Sequence, residues 1–459
     1  MHRFLPAAAL WAALAAPAVA QHTHADTSAH AAPTDVDHST MDHAAMGHGA
    51  MDHSAPHAAG HAMTSALDAR VPMSADASGT SRIPDASPLE ATMAQAGRWH
   101  LMLHAAAFPR LAAVDAFGSG TRGGTSVGVP NWAMGMAQRP VGRATLTLRA
   151  MASLDPVTES GDGYRLLFQS GETFAGERLV DRQHPHDAVS ELSATVSAPV
   201  GGAAVFGYVG YPGEPALGPA AFMHRPSARY TPDAPLSHHW QDATHIAWGV
   251  ATGGVAWGPL TLDASLFTGA EPDERRWTPD RPRFDSYSAR VSLHPTPRTA
   301  LQVSRGHIYE PEALEPGVNQ VRTTASALYS APVGRDGDLA AALVWGRNDA
   351  TGGDHHAGAQ QALLAEATLR VGRAAVFGRG EWIQKSGEEL DLDGELGEPV
   401  YGIGTLGIGA GVDVARTRGV AATLGAEATA YRVPEALRPL YGRAPVSLQI
   451  FLRLSPTRL

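Results

Sequence analysis

The chain has 459 residues, a net charge of −10 and no cysteine. The acidic balance argues against nucleic acid as a partner, and the lack of cysteine excludes a disulfide framework and any thiolate metal site. After the first twenty residues, no stretch reaches the roughly 18 uninterrupted apolar residues of a transmembrane helix, whereas a membrane β-barrel stays open because its strands give a weaker hydropathy signal.

The first element in chain order is predicted to be a secretory signal peptide over residues 1–20. Arg3 precedes an apolar run at 4–16, and Ala-Val-Ala at 18–20 supplies the small residues that a signal peptidase requires. The run is too short and too poorly flanked for a membrane anchor. We therefore expect an exported protein that is cleaved after Ala20.

Residues 21–96 form a second zone, which we predict to be disordered. Nine of the 22 histidines of the chain fall within 21–63, together with five aspartates, and Ala, Gly, Pro, Ser and Thr fill the gaps. Such a segment cannot bury enough apolar surface to offset the conformational entropy that it would lose on folding.

Within this zone, the stretch MDHAAMGHGAMDH at 41–53 repeats a Met-x-His triplet every five residues. Residues i and i+2 of an extended chain point the same way, so the thioether and the imidazole of one triplet can bind one ion. Thioether sulfur selects Cu(I), and imidazole adds Cu(II), Zn or Ni. We predict that residues 38–63 bind several Cu(I) ions; the alternative is a low-complexity spacer with idle histidines. The triplet ligands are Met41, His43, Met46, His48, Met51 and His53.

Residues 97–459 have a period of two, which is typical of strands with one apolar and one polar face. At 143–154, for example, Leu146 and Leu148 alternate with Thr147 and Arg149. About sixteen such segments occur, one of them at 243–252, and short links alternate with long ones. This arrangement is typical of outer-membrane barrels, in which tight turns lie on the periplasmic side.

The fold predicted from this pattern is all-β: a closed antiparallel transmembrane β-barrel of about sixteen strands, with both termini on the short-turn side. The alternative is a soluble periplasmic sandwich or propeller. The barrel is favoured because the apolar faces have no second sheet to cover them, while the opposite faces carry Arg149, Glu366 and Glu427, which suit a wet lumen.

Two long connections, at 155–187 and 212–242, are rich in side chains that bind metal. The first ends in VDRQHPHD at 180–187, and the second contains AFMHRPSA at 221–228 and runs into HHWQDATH at 238–245. Connections of this length in compact domains usually have a purpose, so we expect both to be ordered and to contact each other. Imidazole with carboxylate suits divalent transition metals. The predicted ligands are His184, His186, Asp187, His224, His238 and His239.

The alternative for these loops is a hydrogen-bonded lattice in which Arg182 and Arg225 pair with carboxylates. A catalytic site is a third interpretation. However, nothing in the sequence assigns a nucleophile or a general base, so we predict no catalytic residue and no enzyme.

The stretches VDRQHPHD, GEPALGP, AFMHRPSA, HHWQDATH and EPDERRW resemble those of an uncharacterised Gram-negative family of predicted outer-membrane barrel proteins. This resemblance covers most of residues 97–459 and implies location and fold, but no activity. Separately, the order of signal peptide, Met/His-rich tail and barrel is similar to that of copper resistance protein B. That second resemblance covers the tail and the architecture only, because the barrel motifs differ.

Together these features predict a barrel in the outer membrane of a Gram-negative bacterium, with its tail in the periplasm. The function expected is copper-type metal binding, tolerance or transport, with the copper ion, outer-membrane lipid and periplasmic metal-handling proteins as partners. One alternative is a general or small-solute porin with an incidental tail. The other is a membrane-embedded metal-dependent enzyme.

Overall fold

Sixteen antiparallel strands close into a barrel, which confirms the fold predicted from the period of two. The computed structural model describes residues 63–118, 120–352, 358–392, 394–397 and 399–457, all within one compact unit, Ala59–Leu459. The predicted signal peptide and the Met-x-His triplets lie outside these described residues.

The strands are β1 Ala91–Ala96, β2 Trp99–Ala107, β3 Arg110–Val114, β4 Gly124–Gly128, β5 Asn131–Val141, β6 Ala144–Ala152, β7 Tyr164–Phe174, β8 Glu177–Gln183, β9 Val189–Val200, β10 Ala203–Gly210, β11 Val250–Trp257, β12 Leu260–Phe267, β13 Ser286–Thr296, β14 Thr299–Ile308, β15 Asn319–Val333, β16 Gly337–Thr351, β17 Ala359–Val371, β18 Ala374–Ser386, β19 Val400–Arg416, β20 Val420–Arg432 and β21 Val446–Pro456. The short α-helices are Asp155–Thr158, His238–Gln241 and Arg438–Tyr441. The 3₁₀ turns are Met73–Ala75, Phe222–His224, Ala243–His245, Gly394–Leu396 and Glu435–Leu437. Among the described residues, no helix is long and apolar enough to cross a membrane.

The barrel closes between its first and last strands. β2 and β3 form one strand that is interrupted at Pro109, and β4 and β5 form its neighbour. β21 then pairs with β3 from Leu448 to Phe451 and touches β2 at Leu454. β1 forms a hairpin with β2 and extends the sheet at this seam. The pairing of β21 with β3 closes the sheet on itself.

The outer surface of the barrel is apolar and its inner surface is polar. Large hydrophobic side chains such as Leu148, Leu262 and Val303 are exposed on the strands, while Arg149 and Arg290 are buried on the opposite faces. This is the alternation of an outer-membrane barrel, and the sandwich alternative is therefore wrong. The C-terminal strand ends beside Val420, next to a short turn, so the described C-terminal end lies on the short-turn side, as predicted.

The strand predicted at 243–252 is misplaced. Residues Ala243–His245 form a 3₁₀ turn, and β11 begins only at Val250. The alternation there has another cause: Ile246 and Trp248 are buried as part of a long connection, residues 211–249, that packs inside the barrel. We call this connection the lumen loop.

The disorder predicted for 21–96 ends earlier than that boundary, because residues 63–96 are folded. Residues 63–90, which we call the inner segment, pack against inward-facing side chains of the barrel. Arg149 pairs with Asp76 at 3.0 Å, and the hydroxyl of Thr80 donates to Asp263 at 2.7 Å. Composition suggested disorder because the segment has few large apolar residues. The lumen nevertheless supplies the polar partners that such a sequence needs.

Glu214 joins the inner segment to the lumen loop. Its carboxyl accepts hydrogen bonds from the hydroxyls of Ser78 and Ser81, the latter at 2.5 Å. Ser81 in turn accepts a hydrogen bond from Arg290 of β13 at 2.8 Å. Burial raises the pKa of Glu214 to about 8, so the carboxyl is largely protonated at neutral pH.

The burial of the inner segment can be tested by single cysteines, because the chain has no cysteine of its own. Ala66 has 0% exposure, whereas Ala69 is exposed. In detergent-solubilised protein, we expect A66C to resist a maleimide reagent until the barrel is unfolded by heat, and A69C to react at once. Equal and rapid labelling of both cysteines in the folded protein would show that the segment is not packed in the lumen.

The raised pKa of Glu214 makes a prediction about pH. Because the folded carboxyl holds its proton up to about pH 8 and the unfolded carboxyl only to about 4.5, its stabilising contribution is lost as pH rises between those values. The loss is roughly 1.4 kcal/mol per pH unit at most. Unfolding measured at pH 5 and pH 8 should therefore show a smaller decline for E214Q than for the parent. An identical decline in both proteins would contradict the assignment.

Candidate functional site

The lumen loop crosses the inside of the barrel and is hydrogen-bonded to strands on several sides. The backbone N–H of Ala216 donates to Ser265 of β12 at 2.7 Å, and the hydroxyl of Ser237 donates to Glu381 of β18 at 2.6 Å. Between these points, Thr368 of β17 donates to the carbonyl of Ser227 at 2.7 Å. The loop is thus a fixed part of the lumen.

A buried ion-pair network centred on Arg225 holds the loop in place. Arg225 is 1% exposed and pairs with Asp242 of the same loop at 2.6 Å and with Glu366 of β17 at 2.8 Å. Glu366 also pairs with Arg379 of β18 at 2.9 Å. The lattice expected for the loops is therefore present at Arg225.

The connection 155–187 enters the barrel mouth as the β7–β8 hairpin and meets the lumen loop, as expected. Trp248 donates to Asp187 at 3.3 Å, and the rings of His184 and His239 are 6.2 Å apart. Gly171 of β7 allows the close approach: its φ is +128°, and a Cβ there would collide with the His239 ring.

The two connections bring five largely buried histidines together, four of which were predicted as ligands. Neighbouring ring centroids are 6.1 Å apart for His184 and His186, 5.6 Å for His186 and His245, 5.0 Å for His245 and His238, and 5.4 Å for His238 and His239. We call these residues the histidine cluster. His245 was outside the predicted set, although five residues separate it from His239, a spacing that is found between zinc ligands.

Each imidazole of the cluster is oriented by an oxygen acceptor on one ring nitrogen. The pairs are His184 with Glu172 at 2.8 Å, His186 with Asp155 at 2.8 Å, His238 with Asp242 at 2.7 Å, His239 with Glu271 at 3.3 Å, and His245 with the carbonyl of Asp242 at 2.9 Å. Metal-binding histidines are commonly held this way, with a carboxylate on the nitrogen that does not face the metal. Sequence spacing could not reveal Asp155, Glu172 or Glu271, because each comes from a different loop or strand.

Several of the remaining ring nitrogens have no partner. Among the described residues, the Nε2 atoms of His186, His239 and His245 are buried without a hydrogen bond. Burial lowers the pKa of His184 and His239 to about 4, so both rings are neutral at pH 7. Neutral imidazole is the form that binds metal. Within the described ranges, however, no three His, Asp or Glu side chains are already arranged to hold an ion.

The other two predicted ligands lie apart from the cluster. Asp187 pairs with Arg276 at 3.4 Å and so belongs to the lattice. His224 lies deeper in the lumen, where its ring centroid is 4.9 Å from that of Trp132 and 6.1 Å from that of His104.

Above the cluster, the mouth of the barrel is acidic. A cavity of about 400 Å³ is lined by His239 and Arg322 together with five glutamates. The glutamates are Glu271, Glu312, Glu315, Glu388 and Glu389. Burial and neighbouring carboxylates raise the pKa of Glu271 to about 8 and that of Glu312 well above its usual range. Carboxyl groups crowded in this way favour a cation that would relieve their repulsion.

Below the cluster lies a smaller cavity of about 90 Å³, which His186, His224 and His104 line. His186 thus faces this inner cavity, while His239 faces the acidic mouth. The histidine cluster therefore lies between two cavities, and its rings form a continuous series from one to the other.

No protein-family model and no curated protein matches the chain. Similar solved structures include an anion-selective porin from Comamonas acidovorans, at 9% identity and a TM-score of 0.47, covering 79% of this chain and 100% of that one. OmpF of Salmonella typhi, solved with daunomycin, has 10% identity and a TM-score of 0.49 over 79% and 100% of the two chains. OmpT, an outer membrane protein of Vibrio cholerae, has 9% identity and a TM-score of 0.44 over 79% and 99%. At these values the likeness adds nothing about function, and the barrel rests on its own strand pairing.

The Arg225 network predicts a large effect of one substitution. R225A leaves Asp242 and Glu366 buried with less compensation, so we expect a loss of about 3–5 kcal/mol in the free energy of unfolding. R347A is the control, because Arg347 pairs with Asp349 at 2.7 Å but has a 41% exposed side chain. Little or no change in the free energy of unfolding is expected there, because an exposed ion pair contributes little. Denaturant unfolding followed by tryptophan fluorescence measures both, and similar losses would contradict the central role of Arg225.

Proposed function

We propose that the protein is a narrow outer-membrane channel of the porin kind that admits small inorganic cations, and that transition-metal ions of the copper type are the class its lining fits. The observation that carries this proposal is the histidine cluster between the acidic mouth and the inner cavity. Its neighbouring rings are 5.0 to 6.2 Å apart, so an ion that leaves one imidazole finds the next close by.

Size supports a restriction to small ions. The inner segment and the lumen loop occupy much of the lumen, and the inner cavity measures about 90 Å³. Such a space holds a few water molecules or one hydrated ion, but it is too small for a sugar.

Charge supports the preference for cations. Glu271 and Glu312 at the mouth keep protons that a cation could displace, so a positive ion can bind among these carboxyl groups. The neutral imidazoles below the mouth can replace some of the water bound to a transition-metal ion. For calcium or magnesium, carboxylate and carbonyl oxygens are the better ligands.

The Met-x-His tail extends this proposal to the periplasm. In this proposal the copper ion is the cargo. The side chains of the tail that bind copper reversibly are those of Met41, His43, Met46, His48, Met51 and His53. Periplasmic metal-handling proteins would then exchange ions with the tail. Its ligand chemistry, thioether beside imidazole, supports copper over zinc.

The second candidate is a general small-solute porin that is indifferent to metal. The closed barrel of sixteen strands favours it, since barrels of this size commonly enclose an aqueous channel. The membrane-embedded metal-dependent enzyme stays a third alternative.

Flux into liposomes separates the two candidates. Full-length mature protein is reconstituted into vesicles that contain a Zn(II)-sensitive dye, and arabinose entry is measured in parallel by swelling. We expect Zn(II) to enter and arabinose to be excluded. In H186Q/H239Q, which removes an imidazole at each end of the cluster, Zn(II) entry should fall about tenfold or more, because two ligands that replace hydration water are lost.

The matched control is H307Q. His307 lies on the outward-facing side of β14 and stacks on Tyr287, with ring centroids 5.5 Å apart. Its replacement should leave Zn(II) entry unchanged. Arabinose and Zn(II) entering equally well, with no effect of H186Q/H239Q, would favour the general porin.

A further inference from the structure

Methionines are concentrated on the inner faces of three adjacent strands. Met102 of β2 lies directly opposite Met136 of β5, and Met134 of β5 lies opposite Met151 of β6. His104 of β2 is the other neighbour of Met134. Directly opposed residues have Cα atoms roughly 4.5–5.5 Å apart, so these side chains are within reach of one another. All four methionines are buried.

The inner segment and the lumen loop complete the enclosure. Met73 of the inner segment and Met223 of the lumen loop line the same cavity as Met102, Met134 and Met136. This cavity of about 90 Å³ is the inner cavity described above, and from here on we call it the methionine chamber. Three separate parts of the chain thus contribute thioethers to one small space.

His224 provides an independent sign of a ligand. It lines the methionine chamber and is 7% exposed, and its Nε2 has no hydrogen-bond partner among the described residues. A buried polar atom without a partner is costly, so such an atom in a native protein calls for an explanation, and a bound ion is one.

The harder ligands around the chamber are already engaged. Its three carboxylates face basic partners: Asp76 pairs with Arg149, Glu90 with Arg453, and Asp155 with His186. The thioethers of the lining and the Nε2 of His224 have no such ionic partner and stand as the candidate ligands. Thioether sulfur selects soft ions and discriminates against zinc, calcium and magnesium.

We propose that the methionine chamber is a binding site for a soft monovalent cation, Cu(I) or Ag(I), held by His224 and by thioethers of the set Met102, Met134 and Met136. This inference deepens the proposed function. It depends on that function only for the route by which the ion reaches the chamber. It differs from the Met-x-His tail because the chamber is folded and enclosed, so its ion should exchange slowly.

Ordinary packing is the competing explanation for these methionines. Methionine fills irregular gaps and makes favourable contacts with aromatic rings, and Trp132 and Phe108 belong to the same buried cluster. Leucine conserves most of the volume of methionine, so a buried site tolerates this exchange well. Met→Leu substitutions therefore remove the sulfur with little change in packing, and they separate the two explanations.

The test is titration of the full mature chain with Ag(I), a redox-stable probe, in detergent. All proteins carry M41L/M46L/M51L, so that the tail triplets do not contribute. We expect one tightly bound Ag(I) in this background. Adding M134L/M136L should weaken its affinity at least tenfold or abolish it, and adding H224Q should weaken it as well.

The matched control is H307Q, which removes an imidazole outside the chamber. His307 lies on the outward-facing side of β14 and stacks on Tyr287. We expect H307Q to bind Ag(I) like the background protein. Folding of every variant is checked by the different gel mobility of heated and unheated samples. Unaltered Ag(I) affinity in folded M134L/M136L, or no tight site in the background, would overturn the proposal.

A spectroscopic measurement covers the case in which M134L/M136L fails to fold. X-ray absorption of the background protein loaded with Cu(I) should show both sulfur and nitrogen neighbours of the metal, and a spectrum without sulfur would overturn the site. Failure of the channel is distinguishable: tight Ag(I) binding without Zn(II) flux rejects the channel, whereas Zn(II) flux without a tight Ag(I) site rejects the chamber.

Discussion

A filled polar lumen can persist only if the charges inside it are paired, and the pairing that holds the lumen loop against the barrel wall is centred on Arg225. Its guanidinium joins Asp242 of the lumen loop to Glu366 of the barrel wall, and Glu366 also binds Arg379. Removing one member would leave a buried charge uncompensated, which costs more than the pair contributes by itself. The loop is therefore held in one position relative to the strands.

The same network positions the metal-binding groups. Asp242 binds Arg225 with one oxygen and the Nδ1 of His238 with the other. His238 is in ring contact with both His239 and His245. The orientation of the histidine cluster is thus coupled to the ion pair that holds the loop, and the lattice and metal interpretations of these residues are compatible.

In the proposed function, ligand chemistry changes with depth in the barrel. Glutamates surround the mouth, imidazoles follow, and thioethers line the inner chamber, which is an order from hard to soft ligands. A soft ion would be held progressively better along this direction, whereas a hard ion would gain nothing beyond the mouth. This order offers a physical basis for selection by an otherwise narrow channel.

The sequence by itself determined the barrel, because two local patterns indicate it. Apolar and polar residues alternate with a period of two within each strand, and short turns alternate with long loops between the strands. The sequence also indicated that the loops at 155–187 and 212–242 are ordered, from their proline and charged residues. It could not place the inner segment, since residues 63–90 fold only against Arg149, Asp263 and Arg290 of distant strands. The methionine chamber was equally hidden: Met102, Met134 and Met136 lie on two strands and look like ordinary core residues in sequence. Only closure of the barrel, which pairs strands in register around a common interior, brings their sulfurs and His224 into one cavity.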